Sequence, residues 1–294
     1  MKAKFIFLFI AMSAFLLALP NKQLSQEHIH VFFAEKDRRI AEISLNTVQK
    51  QHETLGLKYD LDINPLFVYI ADSENSYRRL AGSSSALWSM GLASGDKLLV
   101  KSPSFSRQSF NDFQKTLLHE TAHLSVSDTP LPVWFNEGFA QYHSGQYDLR
   151  KRILVSRAFI GKNIIPLSHI EYLMQMKQDK AEIAYAQSVA MFSYLVEYFG
   201  EGLVGKCVQL SKEYQDFDRA FSAAFLMSPE HFMQVWQRNT ESSFRPYIFL
   251  DQHNLIWILA PIMLVIGFIL MKYRSKKLLA KWEAEEIENE EDIS

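Results

Sequence analysis

The sequence predicts an α+β fold: a small N-terminal mixed sheet, then a mostly helical half, then one C-terminal transmembrane helix. Three observations carry this. Short strand-like apolar runs are confined to residues before about 101, helical periodicity holds from Ser109 almost to residue 245, and an uncharged apolar run occupies 255–271.

In chain order, Met1-Lys2-Ala3-Lys4 precedes an apolar run from Phe5 to Leu19, the layout of a signal peptide or N-terminal anchor over 1–20. Either outcome implies export. An exported domain is expected over 27–245. It opens with an apolar stripe of Ile29, Phe32, Phe33, Ile40, Ile43 and Val48, read as a helix. Asn64-Pro65 breaks the pattern, and Leu66 to Ile70 reads as a buried strand. Ser73 can cap a helix through Tyr77 and Leu80; beyond a Gly- and Ser-rich stretch come strands over Ala86–Leu92 and Lys97–Lys101.

The run from Leu255 to Met271 holds 17 residues without a charge, with Lys272, Arg274, Lys276 and Lys277 directly after it. At about 1.5 Å per residue it extends about 25 Å, the short end of what a bilayer core requires. Basic residues after a span mark the cytoplasmic side. The expectation is therefore a single-pass protein of the cell (inner) membrane, with an extracytoplasmic (periplasmic) domain and a cytoplasmic tail over 272–294. The acids of Glu283–Asp292 read as a solvated face.

Composition narrows the chemistry. At 294 residues, with 48% hydrophobic and 22% charged, the chain can bury one sizeable core. A formal charge of -2 and the lack of a basic stripe exclude nucleic acid as an expected partner. Cys207 is the only cysteine, which rules out an intramolecular disulfide and a thiolate metal site. A metal here would have to use His and carboxylate groups. The oligomeric state is not legible.

Ser109-Phe110-Asn111-Asp112 has the form of a helix start, and Phe110, Phe113, Leu117 and Leu118 give that helix a buried face. On it stands His119-Glu120-Thr121-Ala122-His123. Histidines four apart lie about 40° from each other and one turn along the axis, so both can grip one Zn2+ while Glu120 reaches a water beside it. An open catalytic zinc site wants a third protein ligand. Pro130 and Pro132 end the helix, and Pro132-Val133-Trp134-Phe135-Asn136-Glu137-Gly138-Phe139-Ala140 begins another that supplies Glu137.

These residues resemble the gluzincin metallopeptidases, in which a second helix presents a Glu in an Asn-Glu context. The Trp-Phe-Asn-Glu-Gly-Phe-Ala stretch is similar to that of the zinc aminopeptidases, but only 13 residues separate His123 from Glu137, fewer than in those enzymes. This spacing is similar to the peptidase MA-like group of exported proteins. The resemblance covers about 60–240 in outline and 115–142 in specific motifs. It implies a zincin-like fold, Zn2+ on His119, His123 and Glu137, Glu120 as general base, and a polypeptide substrate. It also implies a tyrosine donor on a later helix, which Ala184-Tyr185-Ala186-Gln187-Ser188 supplies as Tyr185, with Tyr142 and His143 as rivals. Gln141 is a candidate to hold a ligating imidazole, and Lys97-Leu98-Leu99-Val100 a candidate for the exposed edge strand that pairs with substrate.

The reading favoured is a membrane-anchored endopeptidase. An aminopeptidase ranks lower, because no Gly-x-Met-Glu-Asn element occurs in 55–118. A non-catalytic anchored scaffold is the third alternative, against which Glu120 stands.

Overall fold

The structure is a computed structural model that describes residues 20–61, 64–82, 89–250 and 252–291. The leader expected over 1–20 lies outside the described residues apart from Pro20, as does the Ala86 end of the strand expected over 86–92.

The chain enters with a hairpin, β1 (Lys22–Gln26) and β2 (Ile29–Phe33). The helix expected to open at Ile29 does not begin there. Ile29 and Phe33 are four apart, which suits a helix, but Val31 between them is buried as well, so the burial period is two. Helix α1 (Arg38–Tyr59) starts only later and buries Ala41, Leu45, Val48 and Leu55. It crosses over to β3 (Leu66–Ala71), which lies parallel to β2. Helix α2 (Glu74–Ala81) follows, with the Ser73 side chain accepting from Ser76 N–H at 3.3 Å.

Strands β4 (Gly91–Ser94) and β5 (Lys97–Lys101) form an antiparallel hairpin whose turn needs a positive φ, +61° at Gly95. The sheet order is β1-β2-β3-β5-β4. Thus Lys97–Val100 is not the edge, as expected from sequence, but an interior strand between β3 and β4. Its Leu98, Leu99 and Val100 are all buried, which is how a strand covered on both faces reads. The edge strands are β4 on this side and β1 on the other.

Helix α3 (Phe110–Ser125) lays Phe113 and Leu117 on one sheet face, with Ile29, Val31, Val68 and Ile70. The longer helices that follow are α4 (Val133–His143), α5 (Leu149–Ile160), α6 (Gln178–Phe199), α7 (Glu201–Tyr214), α8 (Phe217–Phe225) and α9 (Pro229–Phe244). Their core centres on Trp134, which packs against Phe135, Phe217, Phe221 and Phe232 with ring centroids 5.4–6.2 Å away. Truncating such a buried aromatic costs about 3–5 kcal/mol, so this cluster holds the first turn of α4 firmly.

A final helix, α10, runs from Gln252 to Glu291. Among the described residues no helix is long and apolar enough to cross a membrane, which overturns the expected transmembrane helix over 255–271. The apolar run is at the short end of what a bilayer core requires and is only part of a 40-residue helix that continues into charged sequence. The expected membrane partner rested on that span.

Candidate metal centre

Three helices and one strand build the site. Helix α3 begins at the Ser109 cap, whose hydroxyl oxygen accepts from Asp112 N–H at 3.1 Å, and carries His119, Glu120 and His123. Helix α4 lies across it and brings Glu137 opposite the two imidazoles. His119 Nε2 and His123 Nε2 face each other at 3.0 Å; Glu137 Oε2 is 3.7 Å from the first and Glu137 Oε1 3.8 Å from the second.

These atoms fit a metal. Ligand bonds of about 2.0–2.1 Å in tetrahedral array put donors about 3.3 Å apart, and the three observed separations straddle that value. The oxygen and two nitrogens all lie within 4.8 Å of one another. Glu137 Oε2 is moreover a buried acceptor without a hydrogen-bond partner among the described residues. A cation would satisfy it and would replace the 3.0 Å contact between the two Nε2 atoms.

Orientation and charge agree with this. His123 Nδ1 lies 2.9 Å from Asn136 Oδ1; since that oxygen only accepts, Nδ1 carries the proton and Nε2 keeps its lone pair. Burial, then His123, then Lys151 push His119 well below the usual imidazole range, so it is neutral, the form that ligates. Burial raises Glu137 as well, against the pull of His123 and Lys151.

Glu120 faces the sheet edge, where the Ala93 backbone N–H donates to its carboxylate. Burial is the main cause that lifts it to about 7; His123 lowers it and Glu137 raises it. Gly91 on β4 makes room for it, since a Cβ there would meet Glu120 Cγ at 2.7 Å. Gly138 plays the same part on the other wall. A Cβ there would meet the Ser188 carbonyl oxygen at 2.6 Å, so only glycine lets α6 lie this close to the helix that carries Glu137.

Tyr185 on α6 lines a cavity of 360 Å³ that also has His119 and Lys151 in its wall. Its hydroxyl has one weak partner, Met174 Sδ at 4.0 Å. Burial raises the phenol, and the charges of Glu137 and Glu120 raise it further. The rivals lie elsewhere: His143 Nε2 shares a 2.8 Å hydrogen bond with Tyr59 Oη, and Tyr142 packs on His143 and Phe192. Gln141 does not hold an imidazole. Its Nε2 donates to the Glu137 carbonyl at 3.1 Å and its Oε1 accepts from Lys151 Nζ.

Sequence reading thus collected His119, Glu120, His123, Glu137 and Tyr185 and missed Asn136 and Lys151. For Asn136 the signal was present, directly before the ligand Glu137; Lys151 sits in a run of three basic residues that reads as a solvated face.

The family model described as Peptidase MA superfamily matches residues 49–241 of the chain. No curated protein matches it.

Proposed function

Because the chain belongs to the Peptidase MA superfamily, and so is a peptidase-type hydrolase, we propose that it is a zinc-dependent peptidase that cleaves internal peptide bonds. The observation that carries this is the convergence of His119, His123 and Glu137 on one point with the Glu120 carboxylate beside it.

Zn2+ held by those three groups would lower the pKa of a bound water to about 7 and polarise the scissile carbonyl. Glu120 takes a proton from the attacking water and delivers it to the leaving nitrogen, a role suited to a carboxyl lifted to about 7. Tyr185 donates to the oxygen on which negative charge develops. Asn136 fixes the His123 ring. Strand β4, paired only with β5 among the described residues, offers its outer edge to an extended peptide, and an added strand can run past the site in both directions. This last feature favours internal cleavage over removal of single N-terminal residues.

The test is to compare the full chain with Glu120→Gln on an unbiased peptide mixture after zinc loading. The variant should bind zinc as the native protein does and lose about 10²–10⁴-fold in turnover. Zinc binding without any Glu120-dependent cleavage would sink the catalytic reading. Trimming of one residue at a time would replace internal cleavage with an aminopeptidase.

A further inference from the structure

We infer that Lys151 anchors a carboxylate of the substrate, either the C-terminus of a peptide or an acidic side chain, in the cavity that opens beside His119. The inference rests on the peptidase reading above and says what that site recognises: an acidic side chain there accords with internal cleavage, whereas a C-terminal carboxylate there would move the cut to the end of the substrate.

Four observations lead there. Lys151 is in the first turn of α5, and its side chain turns into the wall of the 360 Å³ cavity whose lining runs from His119 to Tyr185. That volume suits one side chain or a terminal residue, within the range of about 300–1,000 Å³ usual for ligand sites. The ammonium is held in place by Gln141, which is itself 1% exposed and tied to the Glu137 backbone, so it projects from a fixed point next to the ligand helix.

The charges around it are otherwise committed. Arg150 pairs with Glu182 at 2.9 Å on the rim. Asp148 Oδ1 accepts from Lys151 N–H at 3.1 Å as the cap of α5. Glu137 is a ligand in the reading above. The hydrogen-bond partner left to the Lys151 ammonium among the described residues is therefore a neutral amide oxygen.

Partly burying an ammonium without an ion-paired partner is unfavourable, and a cleft that receives an anion is where such a group is put to use. Desolvation pushes Lys151 down to about 8, which still leaves it mostly protonated at neutral pH. A carboxylate entering the cavity would meet a desolvated, pre-positioned cation, the arrangement in which a charge-assisted hydrogen bond is strongest.

The probes are zinc-binding dipeptide hydroxamates made in two matched pairs, one with a free or an amidated C-terminus, one with an Asp or an Asn side chain. Their dissociation constants are measured by calorimetry on the zinc-loaded full chain. In one pair the carboxylate member should bind roughly 10- to 100-fold tighter than its amide, and the pair that shows it identifies the source. Lys151→Gln should abolish that preference, leave the amide affinity within about twofold, and keep zinc content and melting temperature. Lys151→Arg, which retains the charge, should keep the preference, and it carries the test should Lys151→Gln fail to fold. Equal affinities within both pairs for the native protein, or a Lys151→Gln loss shared by acid and amide, would overturn the inference while the metal site stood. If no hydroxamate binds the zinc-loaded protein, the peptidase reading fails and this one with it.

Discussion

His119 and His123 can be set against His52 and His143, four histidines all held on helices and largely out of water. The second pair has partners. His52 bonds through both ring nitrogens, Nδ1 to Ser125 Oγ and Nε2 to the Asn64 carbonyl, each at 3.1 Å, and His143 Nε2 meets Tyr59 Oη at 2.8 Å. The first pair aims two Nε2 atoms at each other across 3.0 Å with a partnerless carboxylate oxygen opposite. A structural histidine is satisfied by hydroxyl and carbonyl partners, whereas a ligating one turns its Nε2 toward another imidazole and a carboxylate, a donor set that a cation can join. Sequence position alone does not separate the two kinds, since His143 stands six residues past Glu137 on the same helix.

The sharpest way to break the comparison is to delete one histidine of each kind. His119→Ala should lose more than about a hundredfold in zinc affinity, because total zinc binding energies of about 10–16 kcal/mol are shared among few ligands. His52→Gln and His143→Gln should keep one zinc per chain at native affinity. Competition with a chromophoric chelator reads both, and loss of zinc in His143→Gln would erase the distinction.

Asn136→Ala should have the next largest effect. It removes the acceptor that holds the His123 proton on Nδ1. Zinc affinity should fall about 10- to 100-fold, with melting temperature of the metal-free protein nearly unchanged. An unchanged affinity would mean that Asn136 does not set the tautomer.

The pH response tests the burial of His143 by itself. Burial, with a smaller contribution from Lys58, pushes His143 down to about 3. Its unfolded form titrates near 6.5, so between about 6.5 and 3 the unfolded chain binds the extra proton, and stability falls as pH falls through that window. From this group the metal-free protein should be about 2 kcal/mol less stable at pH 5 than at pH 7. Urea unfolding at the two pH values measures it, and His143→Gln should remove that part of the slope. The sign would be reversed for a histidine stabilised by a carboxylate.

How much of this could be read beforehand follows from the physics of each signal. The HExxH spacing is a property of one helix, and Glu137 follows from a second helix that a proline starts, so both were legible. The small N-terminal sheet and the mostly helical half were legible for a similar reason, since burial periods are local, but the transmembrane helix expected with them was wrong. The order of strands was not. The pairing of β5 with β3 rather than at the edge is a long-range contact, and only the continuous apolar run Leu98-Leu99-Val100 hinted at it. Ile29–Phe33 was misread because five residues fit either period. The C-terminal helix was misread because an apolar run was weighed without the longer helix that contains it. Lys151 was invisible, because its value depends on what α5 packs against.

The smallest expected effect tests the scaffold that both kinds of histidine depend on. Ser109 caps the ligand helix ten residues before His119, and the contact is exposed, so its removal touches no ligand and no core side chain. Ser109→Ala should cost about 1 kcal/mol of stability, the usual worth of such a cap. Zinc affinity should stay within about twofold, because fraying of the first turn does not reach the turns that hold His119 and His123. Chelator competition and urea unfolding on the same samples would show the two quantities parting. If zinc affinity fell in step with stability, the lone pairs at the centre would be set by how tightly the whole helix is held rather than by their immediate partners, and the contrast between satisfied and unsatisfied histidines would lose its predictive use.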